Sequence, residues 1–183
     1  MNTNEFAQYE QDIDKILEAD ASGGSGNMGP GMWHVALEKP FFKQSQASSK
    51  RFFIVPFSVI STTNPDANRG DRLAWKPDVN NLSGPSNVKN FLLAVGQSLW
   101  ENFDAQQAKG PDGRELMKAV LRGEYVDDLQ MLAHAWEQPT KDKKGVFTKV
   151  SWAPYSDLQR TKLFSRVPKV DGGDEAESET GSA

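Results

Sequence analysis

Cationic and aromatic side chains lie close together between Met32 and Ile60, a stretch that reads MWHVALEKPFFKQSQASSKRFFIVPFSVI. Two apolar runs flank a short polar loop, and this pattern predicts a β-hairpin with strands at about 32–42 and 50–60. The cations where the runs meet the loop are Lys39, Lys43, Lys50 and Arg51. Single-stranded nucleic acids stack their bases on aromatic rings and place their phosphates near lysine or arginine. The hairpin therefore has the residue types that such a site needs, with Phe52 as its candidate stacking residue.

A second predicted hairpin carries the same combination of residue types. The segment LAHAWEQPTKDKKGVFTKVSW predicts strands at about 126–138 and 145–153, joined by a basic loop. Trp136 and Phe147 flank that loop. The cations of this hairpin are Lys141, Lys143, Lys144 and Lys149.

Alternation along the strands separates a predicted core face from an outer face. In the strand at about 50–60, the odd positions are uniformly apolar and are predicted to face the core: Phe53, Val55, Phe57 and Val59. A third strand at about 71–76 adds further candidates: Arg72, Trp75 and Lys76. The alternative is a sheet covered on both sides, in which Phe52 is simply buried. The complete set of candidate nucleic-acid-binding residues is Lys43, Lys50, Arg51, Phe52, Arg72, Trp75, Lys76, Trp136, Lys141, Lys143, Lys144, Phe147 and Lys149.

The net charge of −4 conceals a segregation of charge along the chain. Residues 1–30 and 171–183 each have a net charge of −5, whereas residues 31–170 have a net charge of +6. A basic body favours polyanionic partners. The last segment has too little apolar surface to order itself and predicts a partner-binding tail. Its acidic residues are Asp171, Asp174, Glu175, Glu177 and Glu179.

Composition and periodicity divide the chain into four segments. Residues 1–20 predict an acidic amphipathic helix, whose narrow apolar stripe must dock on the body, on a second copy or on a partner. Residues 21–31, rich in glycine and serine, predict a flexible linker. The nucleic-acid-binding domain is predicted at 32–168, and the disordered tail at 169–183.

The predicted order of elements in the body is three strands, a helix and two strands. The helix is predicted at about 87–108, with Ser86 as its N-cap. A shorter helix at about 113–122 is predicted to begin at Asp112 and end at Gly123. This order is that of the OB-fold, a five-stranded, partly open barrel. The predicted fold is thus mainly β with helices, a barrel with a helix between strands 3 and 4 and an additional N-terminal helix. In the OB-fold, the face of strands 2–3 and the loops joining strands 1–2 and 4–5 bind oligonucleotides.

From about residue 31 to 183 the chain resembles phage-encoded single-stranded DNA-binding proteins of the OB-fold type. The resemblance rests on GMWHVALEKPFFK, RFFIVPFSVI, VKNFLLAVGQSLW, the second hairpin and the acidic tail. It implies sequence-tolerant binding of single-stranded DNA during phage replication, recombination or repair, in the cytoplasm of the host cell. It also implies that the tail recruits replication or recombination proteins and competes for the DNA groove. Such tails often end in an aromatic residue, whereas this one ends in Ala183.

Residue types for catalysis are sparse. The chain has no cysteine, no secretory signal pattern at its N-terminus and no apolar run long enough to span a bilayer, so a cytoplasmic location is expected. His34 and His134 could form a two-histidine metal site, and Glu124 with Asp127 and Asp128 could hold Mg²⁺ in a nuclease. Neither set has a ligand motif, so we expect no metal, no cofactor and no enzymatic activity.

Two other functions stay open at this point. A structural or adaptor protein, such as a virion component, could use the basic body and the acidic ends for self-association. The N-terminal helix is a separate candidate for self-association. A Mg²⁺-dependent nuclease ranks third. Salt-sensitive binding to oligo-dT would separate the leading interpretation from the adaptor, and Mg²⁺-dependent cleavage would identify the nuclease.

Overall fold

The computed structural model describes residues 3–19, 24–25 and 28–165. The α-helices are α1 (Thr3–Glu18), α2 (Gly84–Leu99), α3 (Pro111–Arg122) and α4 (Asp157–Phe164). The strands are β1 (Gly24–Ser25), β2 (Gly31–Leu37), β3 (Phe41–Gln44), β4 (Arg51–Thr62), β5 (Arg72–Trp75), β6 (Gln130–Pro139) and β7 (Val146–Pro154). A short 3₁₀ helix spans Gln107–Lys109. The predicted acidic tail at 169–183 lies outside the described residues.

The described strands form one antiparallel sheet in the order β1-β7-β6-β2-β4-β3, with β5 paired to β4. The prediction of a mainly β domain with helices is therefore confirmed. Within the described residues no strand pairing closes this sheet into a barrel. The expected count of five strands is wrong, because β1 arises from the predicted linker and the first predicted strand is divided in two.

β2 and β3 are the two halves of the first predicted strand, and both pair with β4. β2 pairs with residues 57–62 and β3 with residues 51–54. The interruption falls next to Pro40 and Pro56, which have no N–H group to donate to a strand partner. One bond continues across the gap, since the Glu38 N–H donates to the carbonyl of Pro56 at 2.9 Å. The predicted hairpin is thus present, with a proline-associated break in one strand.

The core lies between the inner face of the sheet and α2. The predicted core side chains of β4 are all buried, which confirms the alternation: Phe53, Val55, Phe57 and Val59. Phe91 of α2 contacts the sheet through aromatic pairs with Phe53, Trp75 and Trp152, at centroid separations of 5.9, 5.8 and 5.3 Å. Such tilted and edge-to-face pairs contribute roughly 0.5–1.5 kcal/mol each beyond their burial. These contacts hold the inner faces of β4, β5 and β7 against α2.

The predicted N-terminal helix is present and packs on its own domain. Ile13, Ile16 and Leu17 of α1 are part of the main core. The buried ammonium group of Lys89 on α2 donates to the carbonyl oxygens of Leu17 and Ala108 at 2.8 and 2.7 Å. Two acceptors on separate segments compensate for taking this charge out of water. These three described apolar residues of α1 are consequently covered within the chain. Self-association through this helix stays a prediction.

The predicted linker at 21–31 is more than a tether. Gly24 and Ser25 pair with Val150 and Lys149 of β7. Asn64 donates from Nδ2 to the carbonyl of Pro30 at 2.7 Å. The described part of this segment and α1 therefore both contact the sheet.

Several helix ends differ from the predictions. α2 begins after Ser83 rather than Ser86 and ends at Leu99 instead of about residue 108. It ends early because the chain turns back and packs Phe103 on the helix, where a Cβ at Gly96 would lie 2.1 Å from the ring. α3 begins after Gly110 instead of Asp112. Its predicted end at Gly123 is confirmed, because Gly123 caps the helix in a left-handed conformation with φ of 85°. After β7 the chain forms α4 at Asp157–Phe164, with Ser156 as its N-cap, an element that the sequence did not predict.

Candidate nucleic-acid interface

A groove of about 850 Å³ lies between the β3–β4 hairpin and the start of β7, and is named here the basic groove. Four predicted binding residues line it, namely the rings Phe52 and Phe147 and the cations Lys43 and Lys76. The other lining residues are Gln44, Ser45, Gln46, Ala47, Ile54, Asp78, Asn81 and Thr148. Residues more than a hundred positions apart in the sequence thus share one concave surface.

Backbone pairing places the groove residues. Lys43 of β3 lies directly opposite Phe52 of β4, so both side chains emerge on the same outer face. On the other side of β4, Phe52 forms a β-bridge with Asp78. The Val79 N–H donates to the Arg51 carbonyl at 2.8 Å, which holds the segment after Lys76 along this strand. The lysines on both sides of Phe52 are therefore positioned by the β4 backbone.

Phe52 and Phe147 are half-buried, and both line the basic groove. The alternative in which Phe52 is buried beneath a covered sheet therefore does not describe this side chain. A half-buried ring is held in place by packing, while its open side is available for stacking. The two rings come from separate hairpins, so they could stack on different bases of one strand.

The outer face continues from the groove across β6 and β7. Trp136 lies directly opposite Lys149 in this pair of strands, and both are half-buried. Phe147 lies two residues before Lys149 and therefore on the same face of β7. The His134 ring lies 4.9 Å from the Trp136 ring, centroid to centroid. This face supplies another aromatic ring and another cation beside the groove.

Two exposed loops carry the remaining predicted lysines. Lys50 precedes β4, and the β6–β7 loop contains the others: Lys141, Lys143 and Lys144. Thr140 and Gly145 close the β6–β7 loop through a backbone bond of 2.8 Å from the Thr140 N–H to the Gly145 carbonyl. These lysines are exposed, so their charges act on ligands that approach the groove.

Three predicted binding residues are placed differently. Arg51 forms an ion pair with the fully buried Asp12 of α1 and lies over the Phe42 ring, so it anchors the N-terminal helix instead of facing the groove. Trp75 is fully buried in the core and presents no ring face to a ligand. Arg72 is exposed at the other edge of β4, where its Nε lies 3.4 Å from a carboxylate oxygen of Glu38. The expectations for Arg51 and Trp75 as binding residues are therefore corrected.

The alternative metal sites find no support in the geometry. No group of three potential ligands is assembled within the described part of the chain, which includes Glu124, Asp127 and Asp128. His34 stacks on Tyr155 at 4.4 Å and shares a hydrogen bond of 2.8 Å between its Nε2 and Gln130. Burial lowers the pKa of His34, although the bond to Gln130 opposes this shift. His34 is therefore committed to packing beneath α4.

The sequence interpretation overlooked the polar residues that border the groove. Asp78 and Asn81 belong to the turn-rich segment PDVNNLSGP, and both use side-chain oxygens to hold that turn. Turn chemistry of this kind predicts a loop but does not indicate what the loop borders.

In the described residues, no helix has both the length and the apolar character required to cross a membrane. No protein-family model matches the chain, and no curated protein matches it significantly.

Proposed function

We propose that this protein binds single-stranded nucleic acid with little sequence preference and acts in DNA replication, recombination or repair. The observation that carries the proposal is the convergence of Lys43, Phe52, Lys76 and Phe147 in one groove. The two rings offer stacking faces, which every base can use, and the two ammonium groups offer neutralisation of phosphate. No cofactor is needed for this activity.

The groove favours unpaired over paired strands for a physical reason. Bases within a duplex are stacked on one another, so they cannot reach rings that are half-buried in a groove. An unpaired base can leave its neighbours and stack on Phe52 or Phe147. The exposed lysines of the β6–β7 loop would attract the phosphate backbone of either form and speed its association. The rings thus account for the preference for single strands over duplexes, and the lysines account for the salt-dependent part of the affinity.

We further propose that the sheet is a partly open barrel of the OB-fold type, as found in the single-stranded DNA-binding proteins that the sequence resembles. The support is the position of the groove, because OB-folds bind oligonucleotides on the strand 2–3 face and on the loops joining strands 1–2 and 4–5. Counting β2 with β3 as the first strand, the groove includes Ser45 and Gln46 of loop 1–2 and Phe52 of strand 2. Phe147 is the second residue of strand 5, next to loop 4–5.

Fluorescence anisotropy with labelled oligonucleotides tests the proposal directly. We expect tight binding to a single strand, weak binding to the same sequence as a duplex, and a steep loss of affinity with salt. If about five phosphates are neutralised, log K should fall against log[salt] with a slope of roughly −3.5. A flat salt response, or a preference for the duplex, would overturn the proposal. Adding Mg²⁺ and following oligonucleotide length in the same samples would reveal the nuclease alternative.

We also propose that the acidic tail competes with nucleic acid for the basic groove. Its five carboxylates, at positions 171–179, are tethered to a body of opposite net charge. Covalent attachment to the body over a few residues gives the tail an effective concentration on the order of millimolar at the groove. A chain that ends after Lys169 should therefore bind more tightly than the full chain at low salt and equally at high salt, where charges are screened. Equal affinities at every salt concentration would leave the tail with partner recruitment alone.

A further inference from the structure

A second cleft, of about 470 Å³, lies between the end of α2 and α3 and is named here the acidic cleft. Its aromatic residues are Trp100, Phe103 and Tyr125. Its other lining residues are Gln107, Asp112, Glu115, Leu116, Ala119, Arg122 and Glu124. None of these residues lines the basic groove. The two clefts are therefore separate surfaces of the described structure.

The aromatic side chains of the acidic cleft are unusually open to solvent. Trp100 is 46% exposed and Tyr125 is 56% exposed. Their rings meet edge to face, with centroids 6.2 Å apart and planes 69° apart. Beneath them, Phe103 is buried and lies 5.6 Å from Trp100. Large exposed rings that line a concavity are typical of binding surfaces, because their burial by a partner is strongly favourable.

The charge of this cleft selects the kind of partner. Its three carboxylates outnumber its one cation, Arg122. That guanidinium is already committed to Glu124, with bonds of 2.6 and 3.3 Å from its Nε and Nη2 atoms. Asp112 and Glu115 leave the rim with a net negative charge. Phosphate is repelled by such a rim, whereas a cationic side chain gains from the carboxylates and from the faces of the aromatic rings.

We propose that the acidic cleft binds an arginine or lysine side chain of a partner protein, presented next to an apolar residue. The cation would lie against Trp100 and Tyr125 within reach of Glu115, and the apolar neighbour would contact Leu116 and Ala119. The volume suits a ligand of a few residues. Because the two clefts have opposite charge and share no lining residue, this partner and a nucleic acid strand can be bound together.

The backbone at Tyr125 provides a clean way to remove one ring. Tyr125 has φ of 65°, a left-handed conformation that glycine adopts without strain and that bulky residues seldom adopt. Tyr125→Gly therefore deletes the side chain while keeping a residue that accepts this conformation. Glu115→Gln is a second variant, which removes one rim charge from an exposed helical position.

The test follows the indole N–H resonances of the ¹⁵N-labelled full chain, which has five tryptophans. Trp100→Phe identifies the Trp100 resonance. The probes are acetyl-Leu-Arg-amide, acetyl-Leu-Glu-amide and acetyl-Leu-citrulline-amide, the last nearly isosteric with the arginine probe but uncharged. We expect a saturable shift of the Trp100 resonance with the arginine probe, at least about fivefold weaker binding of the citrulline probe, and no shift with the glutamate probe.

The variants sharpen this result. Tyr125→Gly and Glu115→Gln should each weaken the arginine probe about three- to fivefold while the spectrum keeps its dispersion. Leu158→Ala removes an exposed apolar side chain elsewhere and should change nothing. Equal binding of the arginine and citrulline probes, an unmoved Trp100 resonance, or unchanged affinity in both cleft variants would overturn the proposal.

Discussion

The basic groove and the acidic cleft are both lined by aromatic rings, and they differ in the charge beside those rings. Phe52 and Phe147 lie beside lysines, whereas Trp100 and Tyr125 lie beside carboxylates. An aromatic face accepts either a nucleobase or a cation. The rings therefore provide contact area for a ligand in both clefts. The neighbouring charges select a nucleic acid strand in the basic groove and a cationic side chain in the acidic cleft.

The two clefts also differ in how the chain builds them. The acidic cleft comes from residues 100–125, a single continuous segment around α3. The basic groove joins residues 43–54, 76–81 and 147–148, which only the pairing within the sheet brings together. The shape of the acidic cleft therefore depends on how α2 and α3 end and on the left-handed backbone of Tyr125. The shape of the basic groove depends on the register of the strands. Substitutions that alter the sheet should accordingly affect the groove first.

The largest expected effect concerns Trp75, an aromatic residue that lies beneath the groove and does not line it. Trp75→Ala should reduce the free energy of unfolding by about 3–5 kcal/mol, because it opens a cavity among Phe91 and Trp152. Urea denaturation followed by circular dichroism measures this loss. Trp75→Phe is the matched control and should cost clearly less than Trp75→Ala, because it keeps an aromatic ring in the core and breaks no hydrogen bond of Trp75 Nε1 among the described residues. If Trp75→Ala kept its stability but bound single strands weakly, Trp75 would be a binding residue and not only a core residue.

Reversing the charge of the groove should come next in size. The double variant Lys43→Glu, Lys76→Glu should weaken binding to a single strand by about 100-fold at 0.15 M salt, since bonds between ions and phosphate contribute roughly 1.5–3 kcal/mol each. Anisotropy titration measures the change. The matched control is Asp112→Lys, Glu115→Lys in the acidic cleft, which should change affinity by no more than about twofold at 0.15 M salt because of screening. If the two double variants changed the single-strand affinity by similar factors, the net charge of the protein would govern binding, and not the position of the lysines in the groove.

Removing single rings should have a smaller effect on binding. Phe52→Ala, Phe147→Ala and Trp136→Ala should each weaken single-strand binding by about 1–3 kcal/mol, the contribution of one stacked base. Trp100→Ala, which removes an exposed ring from the acidic cleft, should leave this affinity unchanged. Melting temperatures measured alongside must stay close to that of the unaltered chain in order to attribute the loss to binding. Unaltered affinity in all three groove variants would contradict the stacking interpretation.

The smallest effect concerns pH. Burial lowers the pKa of His34, so the unfolded chain binds a proton more readily than the folded one below about pH 6.5. Stability should therefore be fully present above that pH and decline as pH falls, with a slope from this group of at most about 1.4 kcal/mol per pH unit. His34→Gln should lack this part of the slope. Single-strand affinity should stay level between about pH 6.5 and 8, because the described lining of the groove contains no histidine.

Local patterns in the sequence were sufficient for most of the elements, but they missed β1, the division between β2 and β3, and α4. The uninterrupted alternation in β4 predicts which side chains face the core, and the glycine at 123 predicts the end of α3. The apolar spacing of α1 predicts a helix with a narrow buried stripe. These features depend on neighbours within a few positions, since the periods of strand and helix fix which side chains share a face. The break between β2 and β3 lies next to Pro40 and Pro56. The sequence did not predict this break, because apolar residues occur on both sides of it.

Only the tertiary structure decided which candidates share the groove. Lys50 and Arg51 are adjacent and equally basic, yet Lys50 is exposed while Arg51 is paired with Asp12, 39 positions away. Phe52 lies on the outer face and Trp75 is opposite Val55 on the inner one, through a strand register that composition does not encode. The sequence by itself determined the long strands β4, β6 and β7, the positions of the rings and the segregation of charge. Long-range pairing determined which of them meet, because a contact between distant residues depends on both partners and on everything packed around them.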